Sequence, residues 1–304
     1  MMAMVSTLLG RAGYRKRLIK TIIQHKKMEF IMRTFKIILL LVSVISWAAF
    51  SNHAAAGIKA NYWAFWDKSD EANQRIIDHA QFDMLLQSYV LPDHQSGINR
   101  FRYGDIKRAD RKQLNRYIKK LSRLDPTKYS RREQKAYWLN LYNALTIREV
   151  LRLYPIDTMP IAQFKDRQLV SINRTKLSLN DIQNRILRPI WQDRKVLFGL
   201  SCATLGCPNI QAEAFTGSNS KALLRKSTRE FINHPRGLVL HKQQMKASKL
   251  FDWYSDDFGS DKNMIKFLAH YADDRKALYL LGFQGQINYA FDTRLNSPDV
   301  DWSN

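Results

Sequence analysis

The sequence predicts an α+β fold: a mostly helical single domain with a small β-sheet, built around a buried central helix over residues 131–154. Three observations carry this. Apolar residues recur at helical spacing, most clearly at Leu114, Tyr117, Ile118, Leu121 and Leu124. The stretch from Ala136 to Leu145 is apolar on almost every side, the pattern of a helix buried all round. Strand-type runs are few and short, at Lys195–Ser201, Leu238–Lys242, Met245–Leu250 and Ile287–Phe291.

The elements follow in order. Ser69–Tyr89 reads as a helix with Ile76, Ile77, Leu85, Leu86 and Tyr89 inward. Asp110–Leu124 is amphipathic, its outer face rich in Lys and Arg, and it ends before Pro126. Ser130 and Glu133 have capping-box spacing and open the central helix, which Pro155 stops. Ser178 and Asp181 cap a short helix to Leu187, ended by Pro189. The run Lys195–Ser201 reads as a buried strand leading into the loop Cys202–Asn209. A helix over Ser218–Asn233, a hairpin, a helix over Asp261–Tyr271 and a last strand complete the chain.

Upstream of this domain lies an export pattern. Arg33 and Lys36 precede the apolar run Ile37–Phe50, and Ala54-Ala55-Ala56 then offers a small-residue cleavage site. Fourteen helical residues span about 21 Å, short of a bilayer core of about 30 Å. The expectation is a secretory signal over 32–56, cleaved after Ala56, and a periplasmic or secreted product. The alternative is anchoring by an uncleaved 37–50 segment. Residues 1–31 read as an N-terminal extension, with translation starting at Met28 or Met32. Residues 57–304 are expected to form one domain.

The whole chain carries a net charge of +22. Residues 1–56 hold nine Lys/Arg and one acid, so about +14 remains beyond them. No basic tract is interleaved with aromatics and no nucleic-acid motif occurs, so no nucleic-acid partner is expected. An anionic envelope surface or an acidic small molecule suits the charge better. No metal-ligand spacing is present, since Asp252, Asp256, Asp257 and Asp261 lack the calcium-loop pattern, and no cofactor is expected.

Cys202 and Cys207 are the only cysteines. Cys202 reads as a nucleophile candidate, with loop amides around Gly206 facing a developing oxyanion. Three states stay open: a local disulfide, a reactive thiol, or two unpaired buried cysteines. A thiol nucleophile needs a base, and His79 and His241 are the candidates. Asn140 and Asn143 share one face of the central helix. Each is expected either to tie down a neighbouring loop or to orient a catalytic group. Trp253 and Tyr254 read as a packed turn or as an aromatic wall beside a carboxylate.

Four blocks then occur in order: Ala136–Thr146 (AYWLNLYNALT), Leu177–Ile182 with Ile186–Pro189, Phe198–Pro208 (FGLSCATLGCP) and Asp252–Phe258 (DWYSDDF). Together they resemble the family called domain of unknown function 547, found in bacterial exported proteins and in plant proteins. The resemblance covers roughly Phe82 to Leu295. It implies that Trp138, Asn140, Tyr142, Asn143, Cys202, Pro208, Trp253, Tyr254 and Asp257 stand at family positions, and it implies no established activity. Plant members often carry serine at the second cysteine, which gives Cys202 weight of its own. Members commonly have histidine five residues before the first cysteine, where this chain has Leu197.

Two functions remain. The preferred one is a non-enzymatic exported module that binds a ligand or partner, with Trp138, Tyr142, Trp253, Tyr254 and Asp257 as binding residues. A Cys202–Cys207 disulfide would hold its recognition loop. The alternative is a cysteine-dependent hydrolase or acyl/amide transferase using Cys202, with His79 or His241 as base and Asn140 or Asn143 as orienter.

Overall fold

The fold is seen in a computed structural model, which describes residues 57–160 and 164–301. The expected leader over 32–56 and the extension over 1–31 lie outside these residues. The chain forms α1 (Ala80–Tyr89), β1 (Val90–Leu91), β2 (Arg100–Phe101), α2 (Arg108–Ser122), α3 (Arg131–Leu153), β3 (Val170–Ile172) and β4 (Thr175–Leu177). A π-wound turn, Asp181–Leu187, runs into α4 (Arg188–Trp191), and a 3-10 segment follows over Arg194–Gly199. Then come α5 (Ser220–Asn233), β5 (Leu238–His241), β6 (Gln244–Ser248), α6 (Lys249–Trp253), α7 (Ser255–Phe258), α8 (Asp261–Tyr271), α9 (Asp274–Leu281) and β7 (Gln286–Ala290). Helices dominate and the sheets have two or three strands, so the class is α+β.

Helix α3 is buried all round, as its composition predicts: Tyr137, Trp138, Leu139, Leu141 and Leu145 are inaccessible to solvent. It lies in the larger of two apolar clusters, with α2 and the π turn packed against it and α1 packed on α2. The smaller cluster gathers Phe198, Phe231, Phe251 and Phe258 against the three-stranded sheet and α8. In that sheet β5 and β6 form the expected antiparallel hairpin, and β7 joins β6 in parallel with Met245 opposite Ile287.

Four expectations are corrected. The first helix starts at Ala80, not Ser69. Asp70, Asn73 and Asp78 accept the amides of Ala72, Arg75 and Ala80, and such short-range bonds compete with helical ones. The Ser130–Glu133 capping box does not form, because Glu133 reaches across to the Ile77 amide at 3.0 Å. Glu71 takes the Arg131 amide instead, at 2.9 Å. The run Lys195–Ser201 is not a strand but mostly 3-10 helix, packed on α5 rather than paired with a sheet.

Pro189 does not end its helix either, which continues to Trp191. A mid-helix proline normally strands a carbonyl one turn back. Here the carbonyls of Asn184 and Arg185 accept the amides of Asn61 and Trp63, at 2.9 and 3.1 Å. The Ser178–Asp181 box does form, with reciprocal bonds of 2.9 and 3.0 Å. Among the described residues no helix is long and apolar enough to cross a membrane.

Candidate functional site

The site is built outward from α3. Asn143, buried, clamps the chain that approaches the cysteines. Its Nδ2 donates to the Gly199 carbonyl at 2.9 Å, and its Oδ1 accepts the Ser201 amide at 2.9 Å. Asn140, one turn earlier, clamps Phe215 in the same way, at 2.7 and 2.9 Å. A primary amide matches one donor and one acceptor at once, so each Asn satisfies two backbone groups that burial would otherwise orphan.

Beyond Ser201 the chain turns through Ala203, whose φ of +62° is a left-handed conformation. Cys202 and Cys207 are joined by a disulfide, with Cα atoms 5.8 Å apart. The loop they close lies against the segment after β7. Leu205 and Gly206 donate their amides to the carbonyls of Arg294 and Asp292, each at 2.9 Å, and Asn296 donates to Ala203. A Cβ on Gly206 would come within 2.7 Å of the Asp292 backbone, so only glycine permits this approach. The Gly206 and Leu205 amides, offered by sequence to an oxyanion, are thus taken by the neighbouring chain.

The disulfide forms part of the wall of a cavity of about 500 Å³, which lies where the two apolar clusters meet. Leu197, Leu200, Leu250, Trp253 and Phe291 give it a mainly apolar lining. One end is polar. Tyr142 of α3 donates to Gln183 Oε1 at 3.3 Å, and Gln183 Nε2 donates to the Tyr254 hydroxyl at 2.7 Å. Burial pushes the Tyr254 phenol up to about 12 and raises Tyr142 further, so both stay neutral at ordinary pH. Lys165 is the one charged side chain among the described lining residues.

Behind Tyr254 stands an ion pair whose arginine is buried and whose carboxylate is half-buried. Arg188 meets Asp257 with two bonds, 2.6 and 2.9 Å, and donates to Asn184 at 2.9 Å. Its guanidinium lies 4.6 Å from the Tyr254 ring centre, so the pair fixes the ring that walls the cavity.

Of the residues singled out from sequence, Cys202, Cys207, Tyr142, Trp253 and Tyr254 converge on this cavity, while Asp257 supports it from behind. Trp138 is elsewhere, buried in the core edge-on to Trp66 at 5.2 Å. Asn140 and Asn143 bind backbone. His79 is not within a helix but just before α1, and its Nδ1 lies 2.6 Å from the Tyr117 hydroxyl of α2. Burial lowers its pKa to about 4. His241 ends β5 and is exposed. Neither histidine lines the cavity.

Gln183 and Lys165 were not singled out by sequence reasoning. Arg188 stood within a recognised block, but nothing in the chain's pattern marked it as buried and paired. The bonds of Gln183 and the Arg188–Asp257 pair join residues 41 to 71 positions apart, beyond the reach of periodicity.

No curated protein and no solved structure matches the chain. Residues 126–232, from the turn before α3 almost to the end of α5, match one family model, a narrower span than Phe82 to Leu295. The family is described as "Protein of unknown function, DUF547", and this match supports assigning the chain to it.

Proposed function

We propose that the domain is an exported module that binds a small, largely apolar molecule bearing an acceptor or anionic group. The cavity carries the reading. Its volume lies within the roughly 300–1,000 Å³ of small-molecule sites. Its lining is mainly apolar, with a hydrogen-bonded Tyr142–Gln183–Tyr254 group and with Lys165, Asn180, Asn184 and Thr293 as the other polar side chains. Export is supported by the leader pattern, by a compact unit that begins at Gly57, and by a disulfide of the kind oxidising compartments preserve.

The probe is 1-anilinonaphthalene-8-sulfonate, an apolar body with one anionic group. The full chain is expected to bind it saturably with one site. Leu200→Trp, which fills the cavity, should weaken binding at least tenfold while thermal unfolding stays cooperative. Equal binding by this variant sinks the cavity reading. For export, the envelope fraction should yield a chain beginning at Gly57; a product retaining residues 37–50 would favour the anchored form.

A second reading, the cysteine-dependent hydrolase or acyl/amide transferase, has one observation in its favour: Cys202 lines the cavity. A disulfide sulfur is no thiolate, so that reading needs a reduced protein and a base brought to the wall. Titration of free thiols without reductant separates the two. None is expected, and a fast-alkylating Cys202 would favour the enzyme.

A further inference from the structure

Helix α2 carries Arg108, Arg111, Lys112, Arg116, Lys119 and Lys120 against one acid, Asp110. At 100° per residue, Arg108, Lys112, Arg116, Lys119 and the following Arg123 fall in one stripe, opposite buried Leu114, Tyr117, Ile118 and Leu121. All five are exposed. The stripe runs for about 22 Å. Asp110 does not neutralise it, being turned to the other side, where it accepts the Tyr89 hydroxyl at 2.6 Å. Lys120, off the stripe, pairs with Asp78. Among the described residues none of the five stripe cations makes an ion pair.

The helix gains little from this arrangement. Lys119 and Arg123 suit the dipole at its C-terminal end, but like charges at i,i+4 destabilise it and Arg108 in the first turn opposes the dipole. The charge also continues beyond α2. Arg111 shares a groove with Arg148 and Arg152 of α3, at whose base Glu149 is buried. Arg148, Arg152 and Arg167 all converge on that single carboxylate, at 3.5, 3.1 and 2.9 Å, so the groove stays positive. The hairpin β3–β4 packs near α2, Asn173 donating to Asp125 in the turn just beyond that helix, and adds exposed Arg174 and Lys176.

We propose that this face docks the protein on an anionic phospholipid bilayer, the stripe lying along the headgroup plane and the Arg111–Arg148–Arg152 groove receiving a lipid phosphate. A straight, unpaired stripe complements a flat sheet of negative charge. None of the large exposed apolar side chains belongs to α2, α3 or the hairpin, so the contact is electrostatic without insertion. The face also offers no exposed aromatic on which a nucleobase could stack, which favours lipid over nucleic acid. The inference is independent of the cavity.

Co-sedimentation of the full chain tests it. Vesicles with three parts in ten phosphatidylglycerol should bind at least tenfold more tightly than pure phosphatidylcholine. That excess should shrink about tenfold from low to physiological salt, as screening requires. K112E/R116E/K119E should abolish the excess. K221E/R225E/R229E, the same charge change on exposed positions of α5, should leave at least half of it, with circular dichroism confirming that both variants are folded. The proposal is overturned if the α5 variant loses as much as the α2 variant, because net charge alone then acts. It is equally overturned if neutral vesicles bind as well, if millimolar inorganic phosphate displaces the protein, or if duplex DNA binds as tightly as the anionic vesicles.

Discussion

Helices α2 and α3 pack side by side and treat their polar residues in opposite ways. On α3, Asn140 and Asn143 are buried, and each gives one donor and one acceptor to another segment's backbone. The Arg188–Asp257 pair, beside the π turn that packs on α3, likewise has every guanidinium nitrogen bonded within the fold. On α2 the polar residues are cations in water, largely without partners. A buried polar group is tolerated only where the fold supplies its counterpart, so it reports architecture. An exposed charge needs no partner to persist, so a one-signed array is free to serve something outside the molecule. The cavity is organised by groups of the first kind and the proposed docking face by groups of the second.

The contrast can be broken most severely at Asp257. Asp257→Ala leaves the Arg188 guanidinium buried without its carboxylate, and about 3–5 kcal/mol of stability should be lost in urea unfolding. A loss under 1 kcal/mol would mean that Arg188 reaches water. The buried side of α2 supplies the next effect. His79, held against Tyr117, has its pKa lowered by burial to about 4 from 6.5. The unfolded chain therefore takes up the proton first as pH falls. Stability is complete above pH 6.5 and is lost as pH drops towards 4, by on the order of 3 kcal/mol. His79→Gln should flatten that part of the stability–pH curve, and an unchanged slope would show that His79 is not its source.

Asn143→Ala orphans the Gly199 carbonyl and the Ser201 amide, and about 2–3 kcal/mol should go with them. Because the clamp precedes Cys202, faster reduction of the disulfide by dithiothreitol should accompany the loss. Unaltered reduction would separate the clamp from the loop. The smallest effect belongs to the outer face of α2. K112E/R116E/K119E should change stability by less than about 0.5 kcal/mol per site, and the relieved repulsion makes a gain the expected sign. A large loss would place these cations among the architectural groups.

Local chemistry decided which parts of the chain were legible. The all-round apolar character of Ala136–Leu145 announces α3, because no exposed helix can carry it. The spacing of Leu114, Tyr117, Ile118 and Leu121 announces α2 and its basic face. The β5–β6 hairpin and the helix over Asp261–Tyr271 were readable for the same reason. Where reading failed, a distant partner intervened. Glu133 serves Ile77, 56 residues away, rather than Ser130. Pro189 sits within a helix because Asn61 and Trp63 take the carbonyls around it. The apolar run Lys195–Ser201 finds α5 instead of a strand partner.

The sequence by itself determined the α+β class, the buried central helix, the one-sided charge of α2 and the two cysteines as a pair worth watching. Each of these depends on residues within a few turns of one another. Only the tertiary structure decided that the cysteines join in the wall of a cavity, that Tyr142, Gln183 and Tyr254 form its polar end, and that Arg188 stands behind them. It also set His79 and His241 apart from that wall. Those outcomes depend on which distant groups the packed core leaves within hydrogen-bonding reach, and no local pattern encodes that distance.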